Sequence, residues 1–159
     1  MAVYPGMRVI VQRVQRAAVS VDDRVVGAIE QGLVALVGVG QRSSAEDAAW
    51  LAAKTEQLRV FADDRGHMNR SLLDVGGGVL AISQFTLYGD TRKGRRPSFV
   101  HAAEPAQGQQ CYAAYCDALT APVARGVFGA HMVIELVADG PVTLILERET
   151  GAVSRPSPG

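Results

Sequence analysis

Short runs of β-branched and other apolar residues, separated by turn residues, fill the first forty positions of the chain. RVIVQRV from Arg8 to Val14, then AAVSVD and RVVGAIE, follow one another at the spacing of a meander of short strands. The next run, GLVALVGVG from Gly32 to Gly40, is almost wholly apolar. This pattern predicts a strand that is buried on both faces.

Two later segments have the spacing of amphipathic helices. Ser43 and Glu46 match a capping box, and the apolar positions after them predict a helix through about Leu58. A second helix is predicted from about Pro105, which suits a first turn, to Leu119. Its predicted buried stripe has the spacing i, i+3, i+4 and i+7 and consists of Tyr112, Tyr115, Cys116 and Leu119.

Near the C-terminus, HMVIELV and VTLILE are two alternating segments separated by Ala138, Asp139, Gly140 and Pro141. Asp-Gly between such segments predicts a hairpin turn, and Gly-Pro is also a place where a cis peptide bond costs little. Many strands with two main helices predict one α+β domain, a curved mixed or antiparallel sheet, or barrel-like sheet, with the helices packed on it. We expect residues 1–6 to be an extension, 7–148 the domain and 149–159 a flexible tail.

Composition and charge narrow the possible functions. The 159 residues are 48% hydrophobic and 20% charged, as expected of one folded domain with a single core. Sixteen cations balance sixteen anions, so attraction to a polyanion depends on local clusters of charge. No apolar run reaches the roughly 20 residues that span a bilayer, and the first residues lack the layout of a signal peptide. We expect no membrane association.

The cysteines and histidines indicate neither a disulfide nor a metal site. Cys111 and Cys116 lie five apart in the predicted second helix, which favours free thiols in a reducing cytoplasm. His67, His101 and His131 have no ligand at metal spacing. GVGQRSS lacks the residues that complete a nucleotide loop, and DDRGHMN lacks the glutamate that closes a calcium loop. We predict turns at both motifs, and no metal or other cofactor.

The segment VLAISQFTLYGDTRKGRRPS begins as an apolar strand and then becomes polar and basic. Continued alternation predicts two faces, with Ser83, Phe85 and Leu87 on one and Gln84, Thr86 and Tyr88 on the other. On each face the apolar residues come first, as expected where a strand leaves the core and enters a ligand cleft. Taken alone, Thr86 is explained by the fit of its branched side chain to a sheet.

Four cations follow within five residues: Arg92, Lys93, Arg95 and Arg96. A solvated loop explains an isolated basic run as well as a binding site does. Beside a polar strand end, phosphate binding is favoured, because guanidinium and ammonium groups bind phosphate strongly.

The signatures SQFTL and GPVT in this order, together with MRVIVQRV, resemble the D-aminoacyl-tRNA deacylase family over Met7 to about Glu147. The resemblance implies a cytoplasmic homodimer that hydrolyses the ester between a D-amino acid, or glycine, and the terminal adenosine of tRNA. It also implies that a cis Gly140-Pro141 pair, braced by Arg13, enters the partner subunit's active site and holds the substrate's amino group through main-chain carbonyls.

The resemblance assigns catalysis to Ser83, Gln84, Phe85 and Thr86, and tRNA binding to the basic run from Arg92 to Arg96. The backbone N–H groups of Phe85 and Thr86 are suited to stabilise a developing oxyanion, while Ser83 and Gln84 orient the adenosine or support those groups. No base accompanies Thr86 in the sequence, so a covalent threonine is disfavoured. The resemblance implies instead that a tRNA ribose hydroxyl assists an attacking water. A rigid backbone clamp selects D substrates by leaving an L side chain no room.

This chain departs from the family pattern at two places. Ala138 stands where the family usually has Asn, so the hydrogen bonds that support the Gly-Pro loop are either missing or supplied by Asp139. The connection LTAPVARGVFG is also short. Two alternatives remain open: a related deacylase with a trans Gly-Pro pair and another substrate, such as L-alanine on the wrong tRNA, and a non-catalytic RNA-binding module.

Overall fold

The structure is a computed structural model that describes residues 4–149. Its strands and helices are β1 (Met7–Val21), β2 (Arg24–Ile29), β3 (Gly32–Val39), α1 (Ala45–Gln57), β4 (Phe61–Ala62), β5 (Met68–Arg70), α2 (Leu72–Val75), β6 (Gly78–Ser83), α3 (Pro105–Ala118), β7 (Val123–Arg125) and β8 (Val133–Arg148). A 3₁₀ helix spans Phe85–Tyr88.

Strand β1 organises the sheet because it is long enough to pair with three neighbours. It is antiparallel to β3 through its first half, to β2 through its second half and to β8 along most of its length. Parallel pairing extends the sheet from β3 to β6 and from β6 to β7. Strand β2 curls back towards β7, since a Cβ on Gly27 would lie 2.8 Å from the Arg125 carbonyl oxygen. The predicted α+β class with a barrel-like mixed sheet is confirmed.

The main core lies between the sheet and helices α1 and α3. The predicted stripe of α3 is confirmed, with Tyr112, Tyr115, Cys116 and Leu119 all buried. Strand β3 is buried on both faces as predicted, because a second apolar cluster fills the inside of the curved sheet. Cys111 and Cys116 are buried free thiols, and burial raises the pKa of each.

Two boundaries differ from the sequence-based expectation. The first two predicted strands form one strand, β1, because its partner changes from β3 to β2 without a break. The capping box of α1 uses Ser44 and Asp47, one residue later than predicted. The Ser43 hydroxyl instead donates to the Gly6 carbonyl and accepts from the Gly40 N–H. The short helix α2, which the pattern did not predict, has its own capping box.

The predicted hairpin at Asp139-Gly140 is wrong. Val133 to Arg148 is one strand, and both of its halves pair with β1 and not with each other. Val14 pairs with Ala138 and Gln12 pairs with Thr143, so a single residue of β1 lies opposite the four residues 139–142. Proline has no N–H to give to the ladder, and the Gly-Pro segment therefore loops out of β8.

The polar turn predicted at DDRGHMN connects β4 and β5, where the Asp63 carboxylate accepts the N–H groups of Arg65 and His67. Those backbone bonds, the His67 N–H first, hold the pKa of Asp63 below its usual value. Residues 1–3 of the predicted extension and 150–159 of the predicted tail lie outside the described residues. Within residues 4–149, none of the helices has the length and apolar character needed to cross a membrane.

Candidate active site

The polar end of β6 turns sharply after Ser83. The expected alternation beyond this residue is wrong, because Phe85–Tyr88 is a 3₁₀ helix and not a strand. The buried Tyr88 anchors the turn, and its hydroxyl donates to the carbonyl groups of Pro5 and Gly6 at 2.9 Å. Gly40 permits this packing, since a Cβ there would lie 2.6 Å from the Tyr88 ring. Burial raises the pKa of Tyr88, so its hydroxyl stays protonated.

The 3₁₀ turn leaves two backbone donors free at its first residues. In the part of the chain that the structure describes, the N–H groups of Phe85 and Thr86 have no acceptor, whereas the Gln84 N–H donates to the Val37 carbonyl and the Leu87 N–H to the Gln84 carbonyl. The first N–H groups of any helical turn lack a partner within the turn. Both side chains are exposed, so the two donors lie at the surface end of β6.

A cavity of about 550 Å³ adjoins the turn and is lined by Phe85, the first of the two residues with a free N–H. Its lining is mostly apolar and includes Ser83, Phe85, Phe99, Glu104, Phe128 and Met132. The rings of Phe85 and Phe99 meet edge to face with their centroids 5.0 Å apart. A largely apolar wall with a few polar groups is typical of a small-molecule site. Sequence reasoning missed Phe128 and Met132, since neither lies near a motif.

Thr86 has no activating base. Its hydroxyl accepts a hydrogen bond from the Gln84 carboxamide at 3.1 Å, and that is its side-chain contact among residues 4–149. The sequence predicted the Gln84 and Thr86 side chains on the same face of a strand. In the structure they contact each other because the backbone turns into a 3₁₀ helix after Gln84. An unassisted threonine hydroxyl is a weak nucleophile, so the arrangement favours a supporting role for this pair.

The Gly140-Pro141 loop lies in a different region and is held by Arg13. The Arg13 guanidinium donates to the Asp139 carbonyl at 3.0 Å and to the Val60 carbonyl, and its Nε lies 3.4 Å from the Asp139 carboxylate. Both Gly140 and Pro141 are exposed, and the bond between them is cis. Asp139 therefore supplies support beside Ala138, where the family pattern has Asn.

Within one chain, the loop and the free donors are far apart. Arg13 of β1 lies opposite Leu33 of β3, which in turn lies opposite Val79 of β6. Ser83 is four residues further along β6 than Val79. At the usual rise this is roughly 13 Å along the strands, with three interstrand spacings of about 4.8 Å between β8 and β6. The cavity beside Ser83 and the pocket beside Arg13 share no lining residue.

The basic loop follows the 3₁₀ helix and is exposed from Thr91 to Val100. Arg92 folds back onto the Asp90 carboxylate with bonds of 2.6 and 2.9 Å, which hold the pKa of Asp90 far below its usual value. The other three cations of the predicted site have no carboxylate partner within the described residues: Lys93, Arg95 and Arg96. Gly94 takes a positive φ of 83° between them.

Comparisons with known proteins agree on one family. The family model described as D-Tyr-tRNA(Tyr) deacylase matches residues 10–147. The chain is 57% identical over 144 residues to a D-aminoacyl-tRNA deacylase of Deinococcus radiodurans, covering 89% of this chain and 99% of the relative. It is 53% identical over 148 residues to one of Chloroherpeton thalassium, covering 91% and 97%.

Solved structures show the same fold. The "c-Myc DNA Unwinding Element Binding Protein" superposes with a TM-score of 0.83 at 34% identity, covering 88% of this chain and 97% of that one. A "probable eukaryotic D-amino acid tRNA deacylase" superposes with a TM-score of 0.76 at 17% identity, covering 89% and 98%, and shows the fold alone. From the match over residues 10–147 and the curated relatives, the chain belongs to the D-Tyr-tRNA(Tyr) deacylase family.

Proposed function

We propose that the protein is a D-aminoacyl-tRNA deacylase, which hydrolyses the ester of D-aminoacyl-tRNA to a free amino acid and tRNA. Its relatives carry that name at 53–57% identity over nearly their whole length. The geometric observation that carries the proposal is the pair of N–H groups of Phe85 and Thr86, which have no acceptor within residues 4–149 and follow Ser83 on a turn whose Phe85 lines the cavity.

Hydrolysis proceeds through a tetrahedral intermediate whose oxygen carries negative charge. The two backbone donors stabilise this oxygen, an effect that preorganised N–H groups provide without reorganisation. Water is the nucleophile, assisted by a ribose hydroxyl of the tRNA, because among the described residues the Thr86 hydroxyl bonds only the Gln84 carboxamide, which is no base. Ser83 and Gln84 hold the adenosine or keep the turn in place. The ester C–O bond breaks, and the tRNA hydroxyl leaves with a proton.

The Gly140-Pro141 loop selects the hand of the substrate across a dimer interface. The distance between this loop and the donors of the same chain supports a site built by two copies, in which the loop enters the partner's cavity mouth. Main-chain carbonyls that bind the substrate amino group leave an L side chain no room, while glycine and any D residue fit. Arg13 holds the loop in position through Asp139.

Strand β8 supports the homodimer. Among the described strands it pairs with β1 alone, so its other edge is open. Val133, Leu136, Leu144 and Ile145 are exposed on β8, and Ile145 is 63% exposed. An open edge with apolar side chains is a typical surface for a second chain.

The basic loop binds the phosphates at the acceptor end of the tRNA. Lys93, Arg95 and Arg96 have no carboxylate partner among residues 4–149 and are exposed to solvent. Arg92 shapes the loop through its bonds to Asp90 and adds to the positive potential of the loop. An aminoacyl-tRNA substrate implies a cytoplasmic enzyme.

The test compares hydrolysis of D-tyrosyl-tRNA, L-tyrosyl-tRNA and glycyl-tRNA by the purified protein. We expect ester loss from the D and glycyl substrates and none above the uncatalysed rate from the L substrate. Equal rates for both hands would refute chiral selection. The second candidate, nucleic-acid binding without catalysis, is favoured by the exposed basic loop. It predicts three stable esters together with tight tRNA binding.

A further inference from the structure

In the described part of the segment before β1, the Tyr4 side chain contacts the two ends of the basic loop. Its ring stacks on His101, with centroids 3.9 Å apart and an interplanar angle of 17°. The Arg92 guanidinium lies 6.0 Å from the centre of the same ring. Tyr4 therefore contacts residues on both sides of the loop that carries the free cations.

The two ends of the loop are closed by Asp90. Asp90 and Ser98 exchange backbone hydrogen bonds of 2.7 and 2.9 Å, and the Asp90 carboxylate binds Arg92 and lies 3.9 Å from His101. Between these closing contacts, the residues from Thr91 to Pro97 are exposed. The order of the loop therefore depends on the contacts at its base, where the aromatic stack lies.

The segment that carries Tyr4 is itself fixed to the core. The Gly6 carbonyl accepts from the Tyr88 hydroxyl and from the Gly40 N–H, both at 2.9 Å. Tyr88 is fully buried at the end of the 3₁₀ helix, so the same anchor supports the candidate active site. Tyr4 precedes residues 10–147, the range of the family match, and its role is not given by that match.

We infer that Tyr4 is a positioning residue for tRNA: stacked on His101 and against Arg92, it preorders the loop so that Lys93, Arg95 and Arg96 meet the phosphodiester groups of the acceptor end. This inference rests on the proposed function. Preordering lowers the entropy lost on binding, so the loop contributes to substrate binding and not to the chemical step. The ring of Tyr4 supplies the stack, and its hydroxyl adds an interaction with the Asp90 carboxylate at the base of the loop.

The experiment measures kcat and KM for D-tyrosyl-tRNA and for D-tyrosyl-adenosine, which lacks the phosphates. Tyr4→Ala should raise KM for the tRNA ester about three- to tenfold with kcat unchanged, and leave D-tyrosyl-adenosine hydrolysis unaffected. Tyr4→Phe keeps the stacking ring and loses only the hydroxyl beside Asp90, so it should recover most of the wild-type KM. Trp50→Ala, which removes a half-exposed aromatic residue on α1, is the matched control and should change neither substrate.

A second measurement separates this inference from the proposed function. Dissociation constants for uncharged tRNA do not depend on hydrolysis, and Tyr4→Ala and His101→Ala should each weaken binding without adding in the double variant, because the two rings act as one unit. Wild-type Kd in Tyr4→Ala, or equal losses with D-tyrosyl-adenosine and the tRNA ester, would overturn the inference. An inactive wild-type protein whose tRNA binding still depends on Tyr4 would refute the proposed function alone.

Discussion

Thr86 is the residue whose role the sequence left most open. Its hydroxyl contacts the Gln84 carboxamide and lies near no acid or base among the described residues. We propose that the threonine at this position supports the turn and supplies its N–H, and that the attacking group is water.

We therefore predict that Thr86→Ala retains substantial activity. The expected loss in kcat is within about tenfold, whereas removing a covalent nucleophile costs on the order of 10⁴-fold or more. Deacylation of D-tyrosyl-tRNA under single-turnover conditions checks this. A folded, tRNA-binding variant without detectable activity would show that the hydroxyl is the nucleophile.

Phe85 allows a direct test of the backbone donors. Its N–H has no acceptor within residues 4–149, and it is the first residue of a 3₁₀ turn, where proline is tolerated. Phe85→Pro should lower kcat by about 10²- to 10³-fold, the cost of one oxyanion donor. Phe85→Ala removes the ring but keeps the N–H, and it should retain far more activity. Equal losses in the two variants would assign the effect to the ring.

Among the secondary-structure elements, the sequence predicted those with a regular hydrophobic pattern and missed the turn and the loop that interrupt such patterns. A continuous apolar run predicted β3, and helical spacing predicted α3 with its stripe, because burial on both faces or on one face imposes those patterns. The turn after Ser83 and the loop in β8 depend on distant partners: Tyr88 packs against Gly40, and both halves of β8 pair with β1. Long-range contacts of this kind leave no local pattern, so alternation and Asp-Gly predicted a longer strand and a hairpin.

The basic loop is an element with a defined electrostatic prediction. Arg95→Ala and Arg96→Ala should each weaken tRNA binding and reduce the slope of log Kd against log salt by about 0.7 to 0.9, since each removes one phosphate contact. Arg65→Ala, in the exposed turn between β4 and β5, should leave the slope unchanged. Titrations of uncharged tRNA at several salt concentrations provide the measurement. Identical slopes for all three variants would exclude this loop from the binding surface.

For the whole molecule, buried tyrosines link stability to alkaline pH. Burial raises the pKa of Tyr88, Tyr112 and Tyr115, so the folded state keeps protons that the unfolded state releases near about pH 10. The raised thiol pKa of Cys111 and Cys116 acts in the same direction from about pH 8.5.

The thermal midpoint should therefore stay level near neutral pH and fall progressively as pH rises through the ordinary cysteine and tyrosine pKa values. Tyr115→Phe removes one of these protons and should make the fall less steep. Calorimetry between pH 7 and pH 11 checks both curves. A midpoint that is constant over this range would contradict the burial of these groups.

The overall arrangement of the strands separates the two parts of the proposed active site within one chain. In one chain the Gly140 loop and the donors of the 3₁₀ turn belong to different regions, and the open edge of β8 offers a surface for a second copy. We propose that each site combines the cavity of one subunit with the Gly-Pro loop of the other.

Heterodimers of two defective subunits test that claim most directly. Gly140→Val displaces the loop, because valine rarely adopts the φ of 136° found there, and Phe85→Pro removes a donor in the cavity. Each homodimer should be nearly inactive. A doubly tagged heterodimer of the two variants contains one intact site and should deacylate D-tyrosyl-tRNA at about half the wild-type rate per dimer. A heterodimer as inactive as its parents would show that one chain builds the site alone.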